Sequence, residues 1–212
     1  MFSLKHIRYK NVLHIDNLNI EKNKVTCIVG QSGSGKTTLL RLLNKILSCD
    51  EGEILYNGKS LKNIDSIKLR RKVVMLSQIP AIFNGNIKEN LLMGLKFSEK
   101  PLVSDDKLCD MLKFVQLNKQ LSENVEQLSG GERQKLSLAR ALLLNPEVFL
   151  LDEPSSALDE DTEHLIIKSL VDYTKKNNKT LIMVTHSKKI ANDFSDNIIK
   201  IGNGRLLPKE DE

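Results

Sequence analysis

The stretch Gly30-Gln31-Ser32-Gly33-Ser34-Gly35-Lys36-Thr37 follows the apolar run Val25–Val29 and precedes a helix-like run at residues 38–47. It matches the phosphate-loop pattern G-x-x-x-x-G-K-[ST] at every fixed position, in the required strand–loop–helix context. Its glycines let the backbone approach a ligand, and the N-terminus of the following helix favours an anion. Lys36 supplies a positive charge for the β- and γ-phosphates, and the Thr37 hydroxyl suits Mg²⁺. We therefore predict a nucleoside triphosphate site formed by Gly30, Gln31, Ser32, Gly33, Ser34, Gly35, Lys36, Thr37 and Thr38.

The composition is that of an ordinary soluble protein of 212 residues, with 40% hydrophobic and 28% charged residues. No apolar run approaches the ~20 residues of a transmembrane helix, and residues 1–10 lack the apolar core of a secretion signal. The three cysteines form no C-x-x-C pair, which favours reduced thiols and a cytosolic location. The net charge of +5 is modest. We interpret the basic cluster at residues 68–72 as a solvated face, with a nucleic-acid or lipid contact as the alternative.

Strand-like and helix-like segments alternate along the chain and predict an α/β fold with a mostly parallel sheet. The continuous apolar run at residues 148–151 indicates a buried parallel strand, and Asn57-Gly58 indicates a hairpin. From residue 86 to about 144 the strand signals give way to helical periodicity, with a loop at residues 96–106. We predict one domain over residues 1–212, with an antiparallel β subdomain near the N-terminus and a helical subdomain inserted at about 86–145. We expect the charged tail, residues 208–212, to fray.

Tyr9 is one of few aromatic residues in the chain and precedes the phosphate loop. We place it at a sheet edge, where an adenine ring could stack on it. Ordinary half-buried packing is the alternative.

Adjacent carboxylates, Asp152 and Glu153, follow the apolar strand at 148–151. Ligands of open α/β sheets gather at the carboxyl ends of the strands. Beside a phosphate loop, Asp152 is predicted to hold Mg²⁺, directly or through water, and Glu153 to face the water that attacks the γ-phosphate. A plain strand terminus is the alternative.

A second glycine turn, Leu128-Ser129-Gly130-Gly131-Glu132-Arg133-Gln134, leads into a helix that runs to about residue 144. Its free N–H groups and the Ser129 hydroxyl predict a second phosphate-binding helix end, formed by Ser129, Gly130 and Gly131. A helix-capping turn without a ligand is the alternative.

Together these motifs resemble the ATP-binding subunit of an ATP-binding cassette (ABC) transporter. The family's phosphate loop is followed by a glutamine, here Gln78, and by a signature turn, here residues 128–134. The carboxylates at the end of a strand come next, then the D-loop, here residues 156–159, and a switch histidine, here His186. The resemblance extends from residue 4 to residue 206 and implies the family's phosphate-loop NTPase fold.

In that family two cassettes pair head to tail, and each ATP lies between one chain's phosphate loop and the other chain's signature. The resemblance therefore implies ATP and Mg²⁺ as cofactors, a second copy of the chain and a transmembrane permease as partners. It implies a location on the inner face of the membrane, and no nucleic acid is expected. Glu153 would polarise the attacking water, and His186 would hold the γ-phosphate and the water in line. Gln78 would contact Mg²⁺ and couple the site to the helical insertion.

The segment after Gln78, residues 79–91, resembles the exporter-type Q-loop with its Pro…Phe…Gly…Ile…Asn pattern, although Asn86 replaces the usual serine or threonine. The chain is thus similar to single-cassette ATPases of iron or metal exporters, and an amino-acid importer or a lipoprotein-release type remains open. A non-transport cassette acting on nucleic acid or ribosomes is the alternative function. DNA-acting relatives carry long coiled coils or zinc modules between the phosphate loop and the signature, but the interval from Gln78 to Ser129 has no heptads or Cys pairs. A phosphate-loop kinase or GTPase is a third, remote alternative, because neither needs a signature motif.

Overall fold

The computed structural model describes residues 1–208, and residues 209–212 of the tail that we expect to fray lie outside the described part. Strands and helices alternate along the chain, as the sequence predicts. The strands are β1 (Phe2–Tyr9), β2 (Leu13–Ile20), β3 (Val25–Val29), β4 (Glu51–Tyr56), β5 (Lys59–Ser60), β6 (Val73–Leu76), β7 (Val148–Asp152), β8 (Thr180–Val184), β9 (Asn197–Gly202) and β10 (Arg205–Leu206). The helices are α1 (Lys36–Leu43), α2 (Ser66–Lys72), α3 (Ile87–Phe97), α4 (Asp105–Phe114), α5 (Gly130–Leu143), α6 (Glu160–Lys176) and α7 (Lys188–Phe194).

The strands form two sheets. A four-stranded antiparallel sheet has the order β2-β1-β4-β5, and a six-stranded sheet has the order β10-β9-β3-β8-β7-β6. In the larger sheet β6, β7, β8, β3 and β9 run parallel, and β10 is antiparallel to β9. The fold is therefore α/β with a mostly parallel sheet and an antiparallel β unit, as predicted.

The larger sheet is buried on both faces. On β7, Val148 and Leu150 pack with α1 and the antiparallel sheet, whereas Phe149 and Leu151 pack with the helices α3 to α7. Successive side chains of a strand point to opposite faces, so a strand covered on both sides must be apolar throughout. This explains why β7 has no polar residue before Asp152.

The helices α3, α4 and α5 lie in the chain between β6 and β7, which are neighbouring parallel strands. Their apolar side chains belong to the same cluster as Phe149 and Leu151, so they cover one face of the sheet. A helical subdomain with boundaries at about 86 and 145 stays a prediction. No helix within residues 1–208 has both the length and the apolar composition for crossing a bilayer.

Three local predictions differ from the structure. The helix after the phosphate loop ends at Leu43, because Asn44 caps it and Lys45 turns into the left-handed region with a φ of 57°. The predicted loop at 96–106 is shorter, because α3 continues to Phe97 and α4 begins at Asp105. The prediction that the region of Tyr9 lies at a sheet edge is wrong for its strand, because β1 pairs with β2 on one side and with β4 on the other.

Candidate nucleotide site

The predicted site residues of the core follow four strands of the parallel sheet. The phosphate loop follows β3, Gln78 follows β6, Asp152 ends β7 and His186 follows β8. These strands are parallel neighbours in the order β3-β8-β7-β6, so their carboxyl ends meet at one edge. The topology thus brings residues that are far apart in sequence to the same cleft.

The backbone of the phosphate loop takes conformations that exclude side chains. Gly30 has a φ of 155°, and a Cβ added there would lie 2.0 Å from the carbonyl oxygen of Ile201. Gly35, the N-cap of α1, has a φ of 104°, and its added Cβ would lie 2.9 Å from Leu13 Cδ1. No side chain caps α1 and its first turn contains no acidic residue. The helix N-terminus is therefore open to an external anion.

The Lys36 side chain folds back over this loop. Its Nζ donates to the carbonyl oxygens of Gly30 and Gln31, both at 2.8 Å. The residue is only 6% exposed, and burial lowers the pKa of its ammonium group, with the carboxylates of Glu153 and Asp152 acting in the opposite direction. An anion bound in the loop would place a negative charge beside this buried ammonium group and so stabilise its charged form.

Thr37 lines the cleft and contacts Asp152, the last residue of β7. The Thr37 hydroxyl donates to Asp152 Oδ1 at 3.1 Å. Asp152 is 3% exposed, and burial raises the pKa of its carboxyl group, opposed by the hydrogen bond from Thr37. A hydroxyl beside a carboxylate fits Mg²⁺, which prefers oxygen ligands and is commonly held by one or two carboxylates together with substrate phosphates. Residues 1–208 contain no cluster of three or more His, Cys, Asp or Glu side chains suited to a metal.

Both oxygens of the Glu153 carboxylate are engaged. Gln78 Nε2 donates to Oε2 at 2.7 Å, and His186 Nε2 lies 2.8 Å from Oε1. The backbone of Glu153 has a φ of 50°, unusual for a residue other than glycine, and its N–H donates to Val184 O at 3.1 Å. Such a conformation is retained where the surroundings determine it, often at functional sites. The three residues predicted as catalytic therefore form one hydrogen-bonded group.

The cleft is an open cavity of about 340 Å³ beside the phosphate loop. It is lined by Val12, Ser32, Gly33, Ser34, Gly35, Lys36, Thr37, Thr38, Gln78, Glu153 and His186. Gly30 and Gln31 contact Lys36, and Asp152 contacts Thr37, without lining the cavity themselves. The Ser34 hydroxyl oxygen is buried and has no hydrogen-bond partner among residues 1–208, as expected where a ligand oxygen is to be bound. The residues fit a nucleotide phosphate chain.

Sequence reasoning missed Val12, which lines the cavity from the turn between β1 and β2. Its carbonyl oxygen lies 3.2 Å from a Cβ added at Gly35, and 2.3 Å from one at Gly204. An exposed valine in a turn carries no sequence signal, so only the tertiary structure reveals it. Tyr9, three residues earlier, does not line the cavity; it ends β1, and the Lys10 ammonium group lies 5.5 Å from its ring centroid. Its contact with adenine stays a prediction.

The signature turn lies in a different place. Ser129, Gly130 and Gly131 line a separate open depression of about 390 Å³, together with Glu132, Lys135, Ala157, Leu158 and Asp159. Ser129 is the N-cap of α5: its Oγ accepts the Glu132 N–H at 3.2 Å, and the Glu132 carboxylate accepts the Ser129 N–H at 2.8 Å. Within one chain, therefore, the signature residues and the phosphate loop line two separate cavities.

Comparison with known proteins agrees with this geometry. The ABC transporter family model matches residues 13–156. The tungstate uptake system ATP-binding protein TupC of Peptoclostridium acidaminophilum is 32% identical over 92% of this chain and 89% of its own length. Protein STAR1 of Oryza sativa subsp. japonica is 36% identical over 94% of this chain, which spans 58% of STAR1.

Two solved structures share the fold. The dimeric ATP-binding cassette MJ0796 in a post-hydrolysis state with ADP and Pi superimposes with a TM-score of 0.87 at 28% identity, covering 99% of this chain and 98% of that one. A bacterial Atm1-family ABC exporter with ATP bound superimposes with a TM-score of 0.89 at 27% identity, covering 98% of this chain and 38% of that one. With the phosphate loop, the strand-end carboxylates and the signature turn in place, the chain belongs to the ABC transporter family as an ATP-binding cassette.

Proposed function

We propose that this chain is the subunit that binds and hydrolyses ATP to drive an ABC transporter. The observation that carries the proposal is the Glu153 carboxylate, held by Gln78 and His186 in the cavity that Lys36 and Thr37 also line. A carboxylate beside a phosphate-binding loop is the arrangement that hydrolysis by an activated water needs.

Each residue then has a separate task. The loop N–H groups and Lys36 bind the phosphates, and Lys36 leaves the two carbonyl oxygens that it now contacts. Thr37 and Asp152 would hold Mg²⁺, with Gln78 as a further ligand, and a bound Mg²⁺ would supply positive charge to the phosphate oxygens. Glu153 polarises the attacking water and accepts its proton, while His186 holds the γ-phosphate and the water in line.

We further propose that each complete site needs two chains paired head to tail. The support is the separation of the two cavities: the signature residues Ser129, Gly130 and Gly131 do not line the phosphate-loop cavity of their own chain. A second copy would place them over its neighbour's nucleotide. The MJ0796 cassette, which matches over nearly its full length, is described as a dimer.

A transmembrane permease subunit is the proposed second partner, and it would hold this chain on the inner face of the membrane. The names of the relatives support this, since they include an uptake-system ATP-binding protein and a combined ATP-binding/permease protein. Export is proposed from residues 79–91 alone, because the similar proteins include both uptake systems and an exporter.

The test is Glu153→Gln. The amide keeps the shape of the side chain but cannot accept the proton, and general-base assistance contributes about 10²–10⁴-fold in rate. ATP hydrolysis should fall by that order while nucleotide binding survives, and an ATP- and Mg²⁺-dependent dimer should become visible by size-exclusion chromatography. Glu160→Gln changes an exposed carboxylate near the same loop and serves as the matched control.

Hydrolysis at a near wild-type rate in Glu153→Gln would remove Glu153 from the catalytic role.

The specific ATPase activity of the wild type should also rise with protein concentration, because the proposed site needs two chains. A constant rate from a proven monomer would contradict the two-chain site. Stimulation by nucleic acid, rather than by a co-purified membrane subunit, would contradict transport.

A further inference from the structure

The Gln134 side chain on α5 is 5% exposed and makes two hydrogen bonds to one loop. Its Nε2 donates to Ser156 Oγ at 2.9 Å, and its Oε1 accepts the backbone N–H of Ala157 at 3.0 Å. A buried glutamine is uncommon, and both ends of this amide are paired with neighbouring residues. Gln134 therefore fixes the loop that follows Glu153 to the helix that follows the signature turn.

On the helix side the connection reaches the signature turn itself. Gln134 comes three residues after Gly131, so the two lie on the same face of α5. A Cβ added at Gly131 would lie 2.9 Å from the carbonyl oxygen of Ala157 and 3.0 Å from Leu158 Cδ2. The first turn of α5 is thus in close contact with the loop that Gln134 holds, and both line the same depression.

On the other side the connection reaches Glu153. The Ser156 N–H contacts the carbonyl oxygen of Glu153 at 3.4 Å, and the buried Ser155 hydroxyl donates to Glu163 Oε1 at 2.6 Å. The segment between Glu153 and α6 is short and tied at both ends. A displacement of Glu153 and a displacement of residues 156–157 therefore cannot be independent.

We propose that Gln134 is a positioning residue that couples the two nucleotide half-sites carried by one chain. This proposal rests on the proposed two-chain function, in which Glu153 acts on the chain's own nucleotide and the signature turn contacts the partner's nucleotide. Gln134 is not among the residues that line either cavity. It transmits the position of residue 153 and its loop to Ser129–Gly131, so that the signature turn is correctly placed for the partner only when the side chain at position 153 is in place.

Gln134→Met tests the coupling, because methionine keeps the length and apolar packing of the side chain but can make neither hydrogen bond. In the Glu153→Gln background, the affinity of the ATP-dependent dimer, measured by sedimentation, should fall about 10-fold through loss of these bonds. Nucleotide binding by the isolated chain should not change. Gln120→Met, at an exposed position, is the matched control.

A second variant removes one of the two bonds. Ser156→Ala, at an exposed position, should weaken the same dimer by about 3-fold without a folding defect. With Glu153 intact, both Gln134→Met and Ser156→Ala should lower the Hill coefficient of ATP hydrolysis toward one, a readout that a purely structural role would not change.

A third variant, Gln134→Glu, should restore the dimer in part, because its carboxylate can accept from both the Ala157 N–H and the Ser156 hydroxyl.

A lower melting temperature with unchanged dimer affinity and Hill coefficient would overturn the coupling and leave Gln134 as a packing residue. If Glu153→Gln alone forms no ATP-dependent dimer, the two-chain function itself is wrong and the coupling falls with it. The two failures are distinguishable, because the first appears only when Gln134 or Ser156 is changed.

Discussion

Two helices of this chain begin at a glycine-rich turn, and their first turns differ. The N-terminus of α1 has the glycine N-cap Gly35, no side-chain cap and no acidic residue in its first turn. The N-terminus of α5 is closed by a capping box between Ser129 and Glu132, which uses two backbone N–H groups and adds a negative charge. Only α1 therefore offers an anion a fully open helix end with a cation, Lys36, beside it.

The difference shows what each end can do alone. An open helix N-terminus with a lysine is an anion site in itself, because N–H groups, dipole and charge all act in one direction. At α5 the Glu132 carboxylate offsets the helix dipole, and Lys119 ion-pairs with Glu132 at 3.5 Å. The difference supports the proposal that one chain binds one nucleotide at α1, and that α5 contributes only when a second chain presents its bound nucleotide.

The largest effect in this comparison is expected for Lys36→Ala. It removes the positive charge that we propose binds the β- and γ-phosphates, and a charge-assisted hydrogen bond of this kind corresponds to about 10–100-fold in affinity. Isothermal titration with an ATP analogue measures the change, with Lys22→Ala at an exposed position as the control. Unchanged affinity would mean that the glycine loop at α1 is a turn without a ligand.

A smaller and separable effect is expected for Ser129→Ala. Affinity of the isolated chain for ATP should stay at the wild-type value, because Ser129 lies outside the α1 cavity. Hydrolysis at high protein concentration should fall about 10-fold, through loss of one hydroxyl contact to the partner's nucleotide. Loss of the cap should also lower the free energy of unfolding by about 1 kcal/mol, measured by urea denaturation. Weaker binding by the isolated chain would show that α5 takes part in the same site after all.

The smallest effect is expected for Glu132→Gln, which keeps an acceptor for the Ser129 N–H and removes the charge. The ATP-dependent dimer should tighten by about 2–5-fold, because the Glu132 charge opposes an anion at the N-terminus of α5. A charge at a helix N-terminus contributes about 0.3–1 kcal/mol. A weaker dimer would show that this carboxylate helps the partner's nucleotide to bind.

The same variant tests a pH dependence. The backbone N–H of Ser129, and to a smaller extent Lys119, hold the pKa of Glu132 below its ordinary value of 4.5. A carboxyl group whose pKa is lowered by folding stabilises the protein above its unfolded pKa, and this contribution is lost as pH falls through the folded pKa. The free-energy difference between wild type and Glu132→Gln should therefore be constant above about pH 5 and shrink below it. Urea denaturation across this range measures it.

Much of the fold could be predicted from local patterns. The strands β3 and β7 lie within one residue of their apolar runs, and β4 and β5 form the hairpin that Asn57-Gly58 predicts. Helix ends were harder to predict. Helix α1 ends at Leu43 because the backbone of Lys45 is left-handed, and the periodic spacing of apolar residues does not indicate such a conformation. The inner position of β1 was missed, because strand order depends on pairing between distant segments.

The sequence by itself determined the phosphate loop, the signature turn, the strand-end carboxylates and their order, because each is a short pattern whose chemistry depends on neighbouring residues. Tertiary structure decided which of these groups meet. Gln78 reaches Glu153 across 75 positions of the chain, His186 reaches it across 33, and Gln134 holds Ser156 across 22. These contacts depend on the parallel alignment of strand ends and on the packing of α5 against the sheet. The free energy of such packing depends on residues from many distant segments, so no single stretch of sequence predicts it.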